Sequence, residues 1–333
     1  MPAAGLPDLR ILVVIPGRPE DHSMVFARRQ AKALAAMPNV TVATWFFAER
    51  SSLGGLLRSR RSLREAIARH RAGVLHVHYG TITALLSVLS SPVPVVVTYH
   101  GSDLNRTPGD GLLRDLAGRL FSQLAALGAS GIICVSEGLR RRLWWRRGRV
   151  RVIPMGVDLE HCVPVPYLEA RQRLAWPDKP WRILFNHRDS PVKRLDIARQ
   201  VEACLRADGI DACLEVLRGD VSSERMPLVL SAADALLLCS DQEGSPTMVK
   251  EAMACGLPVV TNDVGDVRER LAGVAPGAIV ERDPARMAEA LKEVLLLGRR
   301  SNGRDRVVAN MADARTLDQL TLELLRDRAR PHA

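Results

Sequence analysis

Aromatic side chains are scarce in this 333-residue chain, at 4%, although hydrophobic residues make up 47% of it. Cores without rings must be filled by Leu, Val, Ile and Ala, which suits parallel sheets covered by helices on both faces. Lysine is almost missing: positions 32, 179, 193, 250 and 292 hold five lysines against 42 arginines. The six cysteines, at 134, 162, 204, 213, 239 and 255, show neither Cys-x-x-Cys pairing nor metal-ligand spacing, and read as buried or free thiols of a reducing cytosol. No window offers about twenty uninterrupted apolar residues, which excludes a bilayer-spanning helix. The Pro- and Ala-rich start, Met1 to Arg10, leads into a short apolar run that fits a strand, so no signal peptide is expected. A soluble or peripheral cytoplasmic protein is the expectation. No Asp-x-Asp motif occurs, so no metal clamp is expected, and the missing Gly-x-Gly-x-x-Gly removes a dinucleotide reading.

The length suits two domains of ~150 residues each. Residues 1 to 160 hold 22 Lys and Arg against 11 Asp and Glu, whereas the remainder holds 25 against 26, so the whole net charge of +10 comes from the first half. Such asymmetry signals contact with something anionic, nucleic acid or a membrane surface. Leu9 to Ile15, Thr41 to Phe47, Val74 to His78, Val93 to Tyr99, Ile132 to Val135 and Arg151 to Pro154 read as strands with helical patterns between them. A second set runs Arg182 to Asn186, Leu214 to Leu217, Ala235 to Cys239, Pro258 to Thr261 and Ala278 to Val280. The expected division is 1–160, a Pro-rich linker 161–180, 181–310, and a late helix within 311–333 that returns to the first domain. Both domains are α/β and doubly wound.

The densest signal is Glu243-Gly-Ser-Pro-Thr-Met-Val-Lys-Glu-Ala-Met-Ala-Cys-Gly-Leu-Pro-Val-Val260. Pro246 suits a first helical position and Gly256 the residue after the helix. The N–H groups of Thr247, Met248 and Val249 then point outward at the positive end of the helix dipole, a ready phosphate site. Glu243 lies beside that phosphate and Glu251 a turn into the helix, where carboxylates accept hydrogen bonds from hydroxyls.

This block resembles the Glu-x7-Glu motif of the family 4 retaining glycosyltransferases. The resemblance implies a GT-B fold, two Rossmann-like domains facing a central cleft, and a UDP-sugar or GDP-sugar donor with no cofactor and no metal. Asn186-His-Arg-Asp-Ser-Pro-Val-Lys193 is similar to the family's Gly-Arg-Leu-x-x-x-Lys-Gly, with Arg188 and Lys193 in register and His187 and Arg194 replacing the two glycines. It assigns Arg188 and Lys193 to the diphosphate. Thr98-Tyr-His-Gly-Ser-Asp103 resembles the His-Gly-x-Asp segment, which sets His100 toward the donor sugar across the cleft. Pro16-Gly17 is similar to the opening Gly-rich loop, assigning Gly17 to donor phosphate or acceptor. The resemblance extends from Leu9 to about Leu297. It implies that Glu243 holds sugar hydroxyls, Glu251 the ribose, and that the departing phosphate takes the acceptor's proton. His76 and His78 alternate on one strand face but lack a third metal ligand at suitable spacing.

The acceptor expected from the resemblance to bacterial polysaccharide and teichuronic-acid-type enzymes is a lipid-linked or cell-envelope glycan, with a small molecule as the other option. The basic stretches Leu56 to Arg71 and Arg140 to Arg149, the latter with two Trp among its arginines, suit an anionic membrane surface, placing the protein peripherally on the inner face of the plasma membrane. The alternatives are a sugar-nucleotide epimerase of the same fold and a basic nucleic-acid-binding module. The latter leaves Glu243 and Glu251 without purpose, so no nucleic-acid partner is expected.

Overall fold

In the computed structural model, which describes residues 8–21, 24–49, 52–106, 111–187, 190–310 and 314–330, the short β-branched runs become strands of two parallel sheets. They belong to two compact units. Unit 1 takes the chain up to Met155 and again from Arg315, and unit 2 is Gly156–Ala314.

Unit 1 alternates β1 (Leu9–Pro16), α1 (Val25–Ala35), β2 (Val40–Phe47), α2 (Leu53–His70), β3 (Val74–His78), α3 (Thr81–Ser90), β4 (Val95–Tyr99), α4 (Leu112–Gly128), β5 (Gly131–Cys134), α5 (Glu137–Arg142) and β6 (Val150–Val152). Its strand order is β2-β1-β3-β4-β5-β6, with every pairing parallel. β3, β4 and β5 are buried at every position, as unbroken apolar runs require when both faces of a sheet are covered. Leu63 and Ile67 of α2, Ala84 of α3, and Ala125 and Ala126 of α4 fill one face. α1 and the late helix fill the other, through Ala27, Leu34, Leu322 and Leu325.

Unit 2 contains α6 (Tyr167–Leu174), β7 (Trp181–Asn186), α7 (Leu195–Ala207), β8 (Ala212–Leu217), α8 (Met226–Ala232), β9 (Ala235–Leu238), α9 (Thr247–Ala254), β10 (Val259–Thr261), α10 (Val267–Arg270), β11 (Ala278–Ile279), α11 (Pro284–Leu297) and α12 (Gly303–Asn310). Its sheet runs β11-β10-β9-β7-β8, again parallel. The final helix, α13 (Ala314–Ala329), is anchored on α1, where Gln30 Nε2 donates to Asp318 Oδ1 at 2.8 Å. The segment His161 to Pro180, read from its prolines as a linker, lies in unit 2 and carries α6. Buried Arg171 pairs there with Asp234 at 3.3 Å, and Asp234 also accepts from the backbone N–H of Arg182 at 2.6 Å. That contact, 63 positions away in sequence, gives a weakly periodic stretch its fixed place.

Each sheet reverses its strand order once, between β1 and β3 and between β7 and β9. Loops leaving the carboxyl ends of such strand pairs turn in opposite directions and open a crevice, the usual ligand position of a doubly wound sheet.

Candidate functional site

The β7/β9 reversal in unit 2 gathers most of the predicted donor residues. After β7 the chain makes a single 3-10 turn, Pro191–Lys193, before α7. After β9 it runs through Ser240 and Asp241 to Glu243. The two loops are joined by the Asp241 N–H, which donates to Val192 O at 2.9 Å. Lys193 Nζ then donates to Glu243 Oε1 at 2.5 Å, and Ser240 Oγ donates to the same oxygen at 2.7 Å. Asp241 Oδ1 bridges Arg194 at 3.2 Å and Arg282 at 2.5 Å. Arg282 and Asn262 hold the Ser240 carbonyl at 3.2 and 3.0 Å. Arg188 lies outside the described residues.

α9 starts directly after this cluster, and its N-cap residue Pro246 supplies no side-chain hydrogen bond. The first amides, those of Thr247, Met248 and Val249, therefore have no side-chain cap, which leaves them suited to an anion. Glu251 is half-buried, one turn further on. The loop after β10 closes the back of the turn. Gly265 has φ of +62°, and a Cβ there would lie 3.0 Å from Gly244 O, so only glycine fits this approach without strain.

In unit 1 the loops after β1, β3 and β4 carry Gly17, Gly80 and His100. Gly17 has φ of +109°, and its N–H donates to Phe47 O at 3.0 Å. Asp103, fully buried, accepts from the N–H groups of Gly80 at 3.0 Å, His100 at 3.0 Å and Gly101 at 2.8 Å, which fixes the β4 loop. Burial raises the Asp103 carboxyl above its ordinary range, and these backbone bonds oppose the shift. The Phe26 ring of α1 lies 4.3 Å from the His100 ring. His100 Nε2 shares a 3.1 Å hydrogen bond with His78 Nδ1, and His76 Nε2 meets Thr98 Oγ1 at 2.9 Å. Desolvation pushes His76 down to about 4, His78 well below the usual imidazole range, and His100 down to about 3, the last also through His76. All three rings are neutral near pH 7, and each then offers one donor and one acceptor nitrogen. Among the described residues, no three His, Cys, Asp or Glu side chains converge as metal ligands.

Residues 13–161 match the family model described as Glycosyltransferase Family 4, and residues 192–296 match Glycosyl transferases group 1. Both models describe glycosyltransferases, and between them they reach from β1 to α11. It is 30% identical over 181 residues to the D-inositol 3-phosphate glycosyltransferase of Geodermatophilus obscurus, covering 44% of this chain and 40% of that relative. It is 28% identical over 215 residues to the Bacillus subtilis protein TuaC, named for teichuronic acid biosynthesis, covering 58% and 54%. The chain thus spans about half the length of these curated relatives. The solved structure of Anabaena Alr3699/HepE in complex with UDP-glucose superposes with a TM-score of 0.73 at 17% identity, over 95% of this chain and 99% of that one. This likeness identifies the two parallel sheets as the GT-B fold.

One residue beside the unit 2 cluster escaped the sequence reading. Lys250, on α9, is 2% exposed. Its Nζ donates to Ser245 Oγ at 2.5 Å, Ser245 Oγ donates to Asp266 Oδ2 at 2.7 Å, and Arg270 Nε reaches the same oxygen at 2.9 Å. Burial pushes the Lys250 ammonium down to about 8, against the pull of Asp266. The network pins Ser245, and with it the turn between Glu243 and α9. The available signal was a helix apolar nearly all round, Met-Val-Lys-Glu-Ala-Met-Ala, which leaves a lysine no outward face.

Proposed function

We propose that the chain transfers a hexosyl-type sugar from a nucleoside-diphosphate sugar to a hydroxyl acceptor, with retention at the anomeric carbon and without a divalent metal. The observation that carries this reading is the Lys193–Glu243 pair, set at the carboxyl ends of β7 and β9 beside the uncapped start of α9. In this reading Lys193 leaves Glu243 for a β-phosphate oxygen, joined by Arg188 and the amides of Thr247, Met248 and Val249, and so stabilises charge on the departing diphosphate. Glu243, released from the lysine, accepts hydrogen bonds from sugar hydroxyls, and Glu251 accepts from the ribose. In unit 1, Gly17 is assigned to phosphate or acceptor and His100 to the sugar, its neutral imidazole suited to a hydroxyl partner. The acceptor oxygen attacks from the leaving-group face and passes its proton to the departing phosphate. A lipid-linked or cell-envelope glycan is the acceptor class proposed, in keeping with the naming of the TuaC relative. Both family models are glycosyltransferase models, which favours transfer over epimerisation.

Thermal shifts across a panel of UDP- and GDP-sugars test the donor site. One nucleotide series is expected to stabilise the protein, and Glu251→Ala is expected to remove that shift. Turnover is expected to persist in a chelator. No shift with any nucleotide sugar, together with unaltered turnover in Lys193→Ala and Glu251→Ala, overturns the assignment.

A further inference from the structure

The face of the first sheet that packs under α1 is apolar at Val74 and Val96 and turns polar toward its carboxyl edge. His76 and His78 follow Val74 at intervals of two, and Thr98 follows Val96. β3 and β4 pair His76 with Val96 and His78 with Thr98, so these side chains share one face. His76, His78 and Thr98 are all buried. Leucine or valine would fill the two histidine positions with no polar atom to desolvate. Moreover, His76 Nδ1 and His78 Nε2 have no hydrogen-bond partner among the described residues. Buried imidazoles with an unpaired nitrogen in a core strand call for a reason other than packing.

Their other nitrogens supply one. His76 Nε2 meets Thr98 Oγ1 at 2.9 Å, and His78 Nδ1 meets His100 Nε2 at 3.1 Å. A neutral imidazole has one N–H and one bare nitrogen, and a buried N–H without an acceptor is the costlier of the two to leave unpaired. His78 therefore keeps Nε2 bare and carries its proton on Nδ1, which makes Nδ1 the donor and His100 Nε2 the acceptor. His100, half-buried just past β4, then holds its own proton on Nδ1, and that N–H is the polar group its ring has left to offer.

The loops that carry this pair are tied to each other. Tyr79 N–H donates to Thr98 O at 2.9 Å, Gly80 N–H donates to Asp103 Oδ2 at 3.0 Å, and Tyr79 Oη shares a 2.7 Å bond with Ser102 Oγ. Tyr79 and Thr81 hold φ of +77° and +56°, a left-handed conformation that a β-branched threonine seldom adopts. Such strain persists where the surroundings over-determine it. The His76 ring lies 4.3 Å from the His78 ring, and the Phe26 ring 4.3 Å from the His100 ring, which packs both members of the pair in place.

We propose that His78 is a positioning residue: it donates from Nδ1 to His100 Nε2, fixes His100 as the Nδ1–H tautomer, and so makes it a hydrogen-bond donor to an oxygen of the transferred sugar. A neutral donor there selects a sugar that bears the oxygen, since an analogue without it leaves the N–H unpaired. This last step rests on the assignment of His100 to the sugar, whereas the tautomer is a property of the free protein.

The test is long-range nitrogen–proton NMR of the full chain with isotope-labelled histidine rings, the His100 signals being assigned from their loss in His100→Gln. Without any ligand, His100 is expected in the Nδ1–H form. His78→Leu, which removes a buried unpaired nitrogen, is expected to keep or raise the melting temperature and to release His100 into a mixture of tautomers. It is also expected to lower kcat/KM for the donor found by thermal shift about 10–100-fold, the size seen when the group orienting a metal-bound imidazole is lost. His78→Asn, whose amide N–H can stand in for Nδ1–H, is expected to restore most of both. His78→Val carries the comparison if the leucine variant does not fold. Two results from the free protein overturn the proposal: His100 in the Nε2–H form in the wild type, or an unchanged tautomer in the folded leucine or valine variant. A changed tautomer with unchanged kcat/KM overturns the positioning role. Absence of wild-type turnover with every nucleotide sugar overturns instead the function proposed above, and the spectra still decide the tautomer.

Discussion

The carboxyl edges of the two sheets solve different electrostatic problems. In unit 2 the edge is ionic: Lys193 with Glu243, Arg194 and Arg282 with Asp241, and Arg270 with Asp266. In unit 1 the equivalent edge is held by neutral imidazoles, His76, His78 and His100, kept uncharged by burial. The two edges therefore suit different partners. Paired charges keep cations in place and let them exchange a carboxylate for a phosphate, whereas a neutral donor–acceptor ring suits a hydroxyl and adds no charge to be desolvated.

The largest test of this contrast is Lys193→Ala against Arg194→Ala. Removing Lys193 is expected to lower transfer by about 10²–10³-fold, the size seen when one charge-stabilising donor is lost. Arg194, already held by Asp196 and Asp241, is expected to matter far less. Equal kcat/KM values for the two variants would show that the ionic edge is only structural.

Acid separates the two edges by stability. His76 takes a proton near pH 6.5 when unfolded and only near about 4 when folded, so the unfolded state binds more protons between those values. Stability is fully present above pH ~6.5 and falls as pH drops toward 4, by roughly 3 kcal/mol for a shift of this size. Urea unfolding at pH 7 and pH 4.5 is expected to show the loss, and His76→Gln to reduce it. A pH slope that survives that substitution unchanged would mean that His78, His100 or carboxylates carry it instead.

Asp103→Asn tests how His100 is held. Replacing an acceptor that receives three backbone N–H groups is expected to cost about 1–3 kcal/mol and to reduce transfer, read from the melting temperature and kcat. The smallest effect is expected at Gly265→Ala, where a side chain at φ of +62° presses on Gly244. About 1–2 kcal/mol of stability should go, with weaker nucleotide binding by calorimetry because the Glu243 turn shifts.

The strands and the site loops were legible in the sequence because their signals are local. β-branched runs mark the strands, and Pro246 and Gly256 bracket α9 within about two residues of its observed bounds. The Lys193 and Glu243 loops were both found, but their mutual bond was not, since nothing in a spacing of 50 positions announces it. α6 was missed because its place depends on Arg171 meeting Asp234. The outward face of α4 was not legible either, since close packing against α3 admits only small residues inward and turns the leucines out.

The sequence by itself determined the α/β character, the parallel sheets, the loops in which Gly17, His100, Lys193 and Glu243 stand and the helix that carries Glu251, because periodicity, turn residues and motif spacing act over a few positions. Only the tertiary structure decided which cation meets which carboxylate, that the three histidines are uncharged, that Lys250 is buried against Ser245, and which face of α4 looks outward. Those outcomes depend on burial and on partners far along the chain, and the energy of a charge or an apolar side chain is set by what surrounds it.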